Sequence, residues 1–183
     1  AITGGIGSGK SYVSALLEAR GIPIYNADNE SKRLTVSDEK IRNGLIALLG
    51  EEVYQGNMLN KTLLASYLFA SSENAAKVNA IIHPCVKADF LRWVDEHHYC
   101  DIVGLESAIL YESGFDDVVD GVLMVYAPES LRVERAMKRD GVSEAHIRAR
   151  MAAQMDDEMK RQKADWVVMN DGSISLDEQL DAL

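Results

Sequence analysis

Cysteine is nearly absent: only Cys85 and Cys100 occur, and neither has the close partner that a redox pair or a zinc site requires. No disulfide framework is thereby implied, and the two read as buried or incidental thiols. Histidine is equally sparse, with His83, His97, His98 and His146. The adjacent His97 and His98 read as a solvated helix end, where positive charge is tolerated, so no metal centre built by the protein alone is expected. No apolar run approaches the roughly twenty residues of a membrane span. No signal-peptide pattern is visible either, so no membrane partner is expected and the cytoplasm is the default compartment. Positive charge is the scarcer sign, 19 Lys and Arg against 29 Asp and Glu for a net charge of −10. A nucleic-acid partner demands the opposite balance and is not expected.

What remains is an ordinary globular composition, 47% apolar and 26% charged over 183 residues, enough for one domain with a sizeable core and room for insertions. The acid is unevenly spread. Between Arg132 and Lys163 there are nine Lys and Arg against six Asp and Glu, the local bias that a polyanionic small substrate needs. A solvated helical face with interspersed ion pairs would show the same bias.

The most informative stretch is Gly4-Gly5-Ile6-Gly7-Ser8-Gly9-Lys10-Ser11, a glycine-rich loop of the phosphate-cradling pattern. Side chains would hold the backbone N–H groups away from an anion, and the glycines remove them. Lys10 supplies a mobile charge for the outer phosphates, and the Ser11 hydroxyl stands at the helix start, where it can ligate Mg2+. Ile2-Thr3 before the loop reads as a strand end and Tyr12 to Leu17 after it as a helix, the context the pattern requires. The feeding strand is very short for a central strand of about five or six residues. Several further apolar residues are therefore expected ahead of Ala1 in the natural chain.

Arg20-Gly21 ends the first helix and Ile22 to Tyr25 restarts as a strand, closing a βαβ unit whose strand runs into Asn26-Ala27-Asp28. Ligands of open α/β sheets bind beyond the carboxyl ends of the strands, so Asp28 is expected to face the phosphates. From Ser37 to about His98 the pattern is helical with no convincing strand: Ile41 to Leu49, Lys61 to Phe69, and Asn74 to His98. Pro84 marks either a kink in the last of these or a second helix starting there. Strands resume at Ile102 to Glu106, Gly121 to Tyr126 and Trp166 to Met169, a pattern of apolar runs between helices that indicates a parallel sheet covered on both faces. Helical patterns at Glu129 to Arg139 and Ser143 to Lys160 carry the basic segment, where a mobile lid would sit. Ser175 to Leu183 reads as a final helix with a capping box from Ser175 to Glu178.

Taken together, the chain resembles the dephospho-CoA kinase family. The resemblance is carried by Thr3 to Ser11, Asn26-Ala27-Asp28, His83-Pro84, Leu110-Tyr111-Glu112, Arg135 through Arg139-Asp140, Arg150 to Gln154, Ala164-Asp165 and Asn170-Asp171-Gly172. It implies an α/β P-loop NTPase sandwich of three layers with a five-stranded parallel sheet. It further implies a core at about residues 1–36, 99–130 and 163–183, a helical CoA-binding insertion at about 37–98 and a helical lid at about 131–162. The implied reaction is phosphoryl transfer from ATP, with Mg2+, to the ribose 3′-hydroxyl of dephospho-CoA. Lys10 would then stabilise the β and γ phosphates, Ser11 and Glu106 would serve Mg2+, and Asp28 would orient the hydroxyl or take its proton. Arg135 and Arg139, at i and i+4, would close over the phosphates, with Arg150 as a further candidate. Gly5, Gly7, Ser8, Gly9 and Tyr12 would surround the nucleotide, while Asn170 and Gly172 would line its adenine pocket. Lys61, His83 and Glu112 fall on the acceptor side.

Each role has a plainer counterpart. Asp28 could cap the following helix, the arginines could pair with Glu134 or Asp140, and His83 could cap a helix ahead of Pro84. The chain also departs from the family pattern. Asn26 replaces an aspartate and cannot accept a proton, which concentrates the base role on Asp28. Glu106 is one methylene longer than the usual Asp, and Ala108 stands in place of Pro. Lys61 replaces an Arg and so lacks the planar fork. Two other readings share much of this pattern: a P-loop kinase for another small acceptor, or a nucleotide-binding module without turnover.

Overall fold

The computed structural model describes residues 1–183. The chain runs β1 (Ile2–Thr3), α1 (Lys10–Ala19), β2 (Ile24–Asn26), α2 (Ala27–Ser37), α3 (Glu39–Leu49), β3 (Tyr54–Gln55), β4 (Met58–Leu59), α4 (Lys61–Ala70) and α5 (Ser72–Glu96). It continues with β5 (Gly104–Glu106), β6 (Leu123–Tyr126), α6 (Glu129–Asp140), α7 (Glu144–Ala152), α8 (Asp157–Lys163), β7 (Trp166–Met169) and α9 (Leu176–Asp181). Two compact units result, one of residues 1–26 and 100–183, the other of residues 27–99.

The first unit holds the expected five-stranded parallel sheet, in the order β2-β5-β1-β6-β7. Its central strand is β1, where Ile2 is in register with Glu106 on one side and Leu123 on the other. β6 reads Leu-Met-Val-Tyr and is buried over its first three residues, as a strand covered on both faces must be. Val13 of α1 and Leu176 and Leu180 of α9 pack with Ile2, Leu123, Val125 and Val168 into one apolar cluster. Each such side chain contributes about 1.5–3 kcal/mol when fully buried. A second cluster joins Ile6 of the glycine-rich loop to Val133 and Ala136 of α6 and Ile147 of α7. The loop is therefore anchored by its one large apolar residue.

One helix boundary and one helix cap differ from the sequence expectation here. The helix expected over Ser143 to Lys160 is two helices, because Asp156 caps a new one by accepting from the N–H groups of Glu158 and Met159. A short polar cap in mid-run offers the backbone a restart that hydrophobic periodicity does not reveal. Ser175 precedes α9 as expected, but its side chain makes no cap hydrogen bond, so the expected capping box is not formed.

In the second unit α2, α3 and α4 all pack against α5. Val78, Ile82, Val86 and Phe90 recur every four residues and form the buried stripe of α5. Pro84 lies inside this unbroken helix, which excludes a second helix beginning at Pro84. An interior proline costs about 3 kcal/mol, and burial of the stripe on both sides of it offsets that cost. The continuity also removes the reading of His83 as a cap, since it sits in mid-helix. Where no strand is expected between Ser37 and His98, β3 and β4 form an antiparallel hairpin, Tyr54 against Leu59 and Gln55 against Met58. Its turn is Gly56-Asn57, with Gly56 at φ 60, a two-residue hairpin signal flanked by strands too short to show alternation. α2 also groups with this unit, so the unit begins at Ala27 rather than near residue 37.

Candidate functional site

The glycine-rich loop bridges β1 and α1, and its geometry follows from what surrounds it. A Cβ at Gly7 would come within 2.2 Å of the Arg132 carbonyl oxygen, and φ there is 79, a region side chains rarely adopt. At Gly5 a Cβ would lie 2.2 Å from Arg132 Nη1 and 2.5 Å from Asp157 Oδ2, so a side chain there would have to displace that pair. At Gly7, where the obstacle is backbone and φ is positive, only glycine fits. Lys10 folds back over the loop, donating from Nζ to the carbonyls of Gly4 at 2.8 Å and Gly5 at 3.3 Å. The first turn of α1 offers N–H groups with no intrahelical acceptor, at the positive end of the helix dipole. Tyr12, on the same turn, is 60% exposed.

Glu106 ends β5 and is buried, yet both of its oxygens are used. Ser11 Oγ donates to Oε1 at 2.8 Å and Asn26 Nδ2 donates to Oε2 at 3.1 Å. The three residues come from α1, β5 and β2, at the carboxyl edge of the sheet, where ligands of such folds bind. A hydroxyl in direct contact with a carboxylate is a hard-oxygen pair of the kind Mg2+ accepts when phosphates and water supply its other ligands. No group of three or more His, Cys, Asp or Glu could hold a metal ion.

α6 presents Arg132, Arg135 and Arg139 at spacings of three and four, and the three side chains do different things. Arg132 is 6% exposed. Its Nε donates to the Ala127 carbonyl at 3.0 Å, its Nη1 to Ile6 at 3.4 Å, and the same Nη1 lies 2.8 Å from Asp157 Oδ2. That last contact is an ion pair by distance, without the alignment of a hydrogen bond. Burial raises the Asp157 pKa, against the opposing pull of Arg132, Lys160 and Lys10. Arg135 donates to the Asn170 carbonyl at 2.8 Å. Arg139 grips Asp140 with two bonds at 2.7 and 3.0 Å, and Arg150 reaches the same carboxylate at 2.7 Å. Arg139, then Arg150, hold the Asp140 pKa far below the usual carboxylate range. The ion-pair alternative for Arg139 is thus the arrangement present.

Asn170 follows β7 and donates from Nδ2 to the Ser8 carbonyl at 2.8 Å, so it braces the loop. Gly172 is exposed with φ 86. Glu112 accepts from the Met155 N–H at 2.6 Å and lies 3.1 Å from Nζ of the fully buried Lys160, which also donates to Ala108. A cavity of about 360 Å3 adjoins this region, but its walls set Arg132 and Arg148 against Glu129, Asp156 and Asp157. The signs compensate and mark no anion site.

Three expected acceptor-side residues belong to the second unit. Asp28 is an exposed residue in the first turn of α2, where a carboxylate suits the helix dipole. Lys61 is the first residue of α4 and exposed. His83 is half-buried, and burial lowers its pKa.

Arg132 and Asp157 were passed over in the sequence as members of a charge tally. The available signal was spacing: Arg132 shares a helix face with Arg135 and Arg139. Nothing in the sequence announced Asp157 as its partner.

A family model for dephospho-CoA kinase matches residues 1–176. A dephospho-CoA kinase of Bacteroides fragilis is 55% identical over 98% of this chain and 87% of its own. The chain belongs to the dephospho-CoA kinase family. It is therefore a kinase, and phosphorylation of dephospho-CoA is its activity, with ATP as the donor the family implies. The Porphyromonas gingivalis dephospho-CoA kinase is 44% identical over 92% of this chain and 84% of its own. Among solved structures, a Thermus thermophilus protein superposes with TM-score 0.83 at 36% identity, covering 99% of this chain and 93% of the other. The Campylobacter jejuni dephospho-CoA kinase shares the fold, with TM-score 0.69 at 21% identity over 98% and 90%. No helix is long and apolar enough to cross a membrane.

Proposed function

We propose that the protein transfers the terminal phosphoryl group of ATP, bound with Mg2+, to the ribose 3′-hydroxyl of dephospho-CoA, releasing CoA and ADP, with Asp28 as the general base. The observation that carries this reading is the Ser11–Glu106 contact at the foot of a glycine-rich loop, with Lys10 folded over that loop. When bound, Mg2+ would neutralise phosphate charge, with Ser11 and Glu106 as its protein side.

The remaining chemistry falls to the chain. Loop amides from Gly5 to Gly9 and the Lys10 ammonium hold the β and γ phosphates, and Lys10 takes up the charge that develops on the leaving ADP oxygen. Asp28, two residues beyond β2, accepts the proton of the attacking hydroxyl as its bond to phosphorus forms. Asn26 cannot share that task; its amide holds Glu106 instead. Arg139 and Arg150 exchange Asp140 for phosphate oxygens, a trade of one anion for another that needs no new charge. Arg135 and Asn170 brace the loop, and Gly172 and Tyr12 border the nucleotide. The helical insertion, with Lys61 and His83, takes the CoA portion. Within residues 131–162 the part that carries Arg139 and Arg150 acts as the lid, while Arg132, Arg135 and Asp157 stay with the loop and Glu112 anchors Lys160 and Met155.

The test is an acceptor panel. ADP release should depend on Mg2+ and rise with dephospho-CoA but not with AMP, CMP or shikimate. A preference for any of the latter would reject the assignment.

A further inference from the structure

We propose that Arg132 and Asp157 form a positioning pair for the reaction, in which the buried guanidinium seats the Gly5–Gly7 segment of the phosphate loop and Asp157 holds it there. The inference rests on the reading of that loop as the nucleotide site.

Three consecutive loop residues meet Arg132. Its Nη1 occupies the space a Gly5 side chain would need, the same nitrogen donates to the Ile6 carbonyl at 3.4 Å, and its own carbonyl blocks a Cβ at Gly7. The guanidinium cannot drift, because Nε is fixed on Ala127 at 3.0 Å and Nη1 lies 2.8 Å from Asp157. Both partners are largely buried, with side-chain exposures of 7% and 11%. A pair so enclosed earns its place by direction more than by stability, since apolar residues of similar size often serve stability as well or better. The loop is braced from a second side by the same helix: Arg135 holds the Asn170 carbonyl, and Asn170 holds Ser8. Thus α6 holds the middle of the loop, Gly5–Gly7 directly and Ser8 through Asn170. Asp157 opens α8, so the pair also ties the start of that helix to the loop. A loop displaced by about 1 Å loses the alignment of its amides with phosphate, at a cost of up to roughly a hundredfold.

The experiment is calorimetric titration of the intact chain with ADP, with thermal unfolding of each variant recorded in parallel. In the double variant Arg132→Met with Asp157→Leu, unfolding should stay near the wild-type temperature or above it, while ADP affinity falls roughly tenfold to a hundredfold. Arg132→Lys keeps the charge but gives up the fork that spans Ala127 and Ile6. It should weaken ADP by a smaller factor and leave KM for dephospho-CoA unchanged. Wild-type ADP affinity in either folded variant overturns the proposal, as does a loss that tracks only the unfolded fraction. Failure of the wild-type chain to bind ADP would instead overturn the nucleotide-site reading itself.

Discussion

Ser11 Oγ donates to Glu106 Oε1 at 2.8 Å, joining the helix that follows the phosphate loop to the neighbouring strand through the two groups best suited to Mg2+. Glu106→Gln keeps the shape and removes the charge. The half-saturating Mg2+ concentration should rise and turnover should fall, each by roughly 10- to 100-fold. A Mg2+ titration of activity that is unchanged in the variant would detach Glu106 from the metal.

Arg139 is 62% exposed on its side chain and bound to Asp140. An exposed pair of this kind is worth at most about 1 kcal/mol, so Arg139→Ala should unfold close to wild type. Turnover should nevertheless fall by roughly 10²-fold while ADP affinity changes little, because charge aimed at the transferred group acts as the transition state forms. A defect confined to nucleotide affinity would contradict the proposed exchange of Asp140 for phosphate.

The fold was largely legible in the sequence, and the site partly so. Apolar runs such as Leu123 to Tyr126 and the loop from Gly4 to Ser11 announce themselves locally, because a buried strand and a phosphate cradle each require particular residues in succession. The hairpin at Tyr54 to Leu59 did not, since two-residue strands show no period. The break before α8 turned on one side-chain cap at Asp156. Pro84 misled in the other direction, because local propensity favours a break that the buried stripe of α5 overrides. Arg132 and Asp157 lie 25 positions apart and acquire their meaning only when folded. Arg139 and Arg150 illustrate the same limit, since no spacing rule reveals that one carboxylate holds both.

His83 supplies a pH dependence whose sign follows from its burial. Its pKa is lowered in the folded chain, while in the unfolded chain it titrates near about 6.5. Between the lowered value and about 6.5 the unfolded state binds more protons, so stability rises with pH through that window and is lost on acidification. Thermal unfolding measured between about pH 5 and 7.5 should show this slope in the wild-type chain and a shallower one in His83→Gln. Equal slopes would mean that burial of His83 contributes nothing to acid sensitivity.

In the proposed mechanism Asp28 aims and deprotonates the acceptor while the glycine-rich loop holds the donor, and Asp28→Asn separates these two jobs. With saturating ATP, Mg2+ and dephospho-CoA, the variant's turnover should drop by about two to four orders of magnitude, with ADP affinity near that of the wild type. Near-normal turnover in Asp28→Asn would mean that another group takes the proton and that Asp28 is only a helix-end carboxylate.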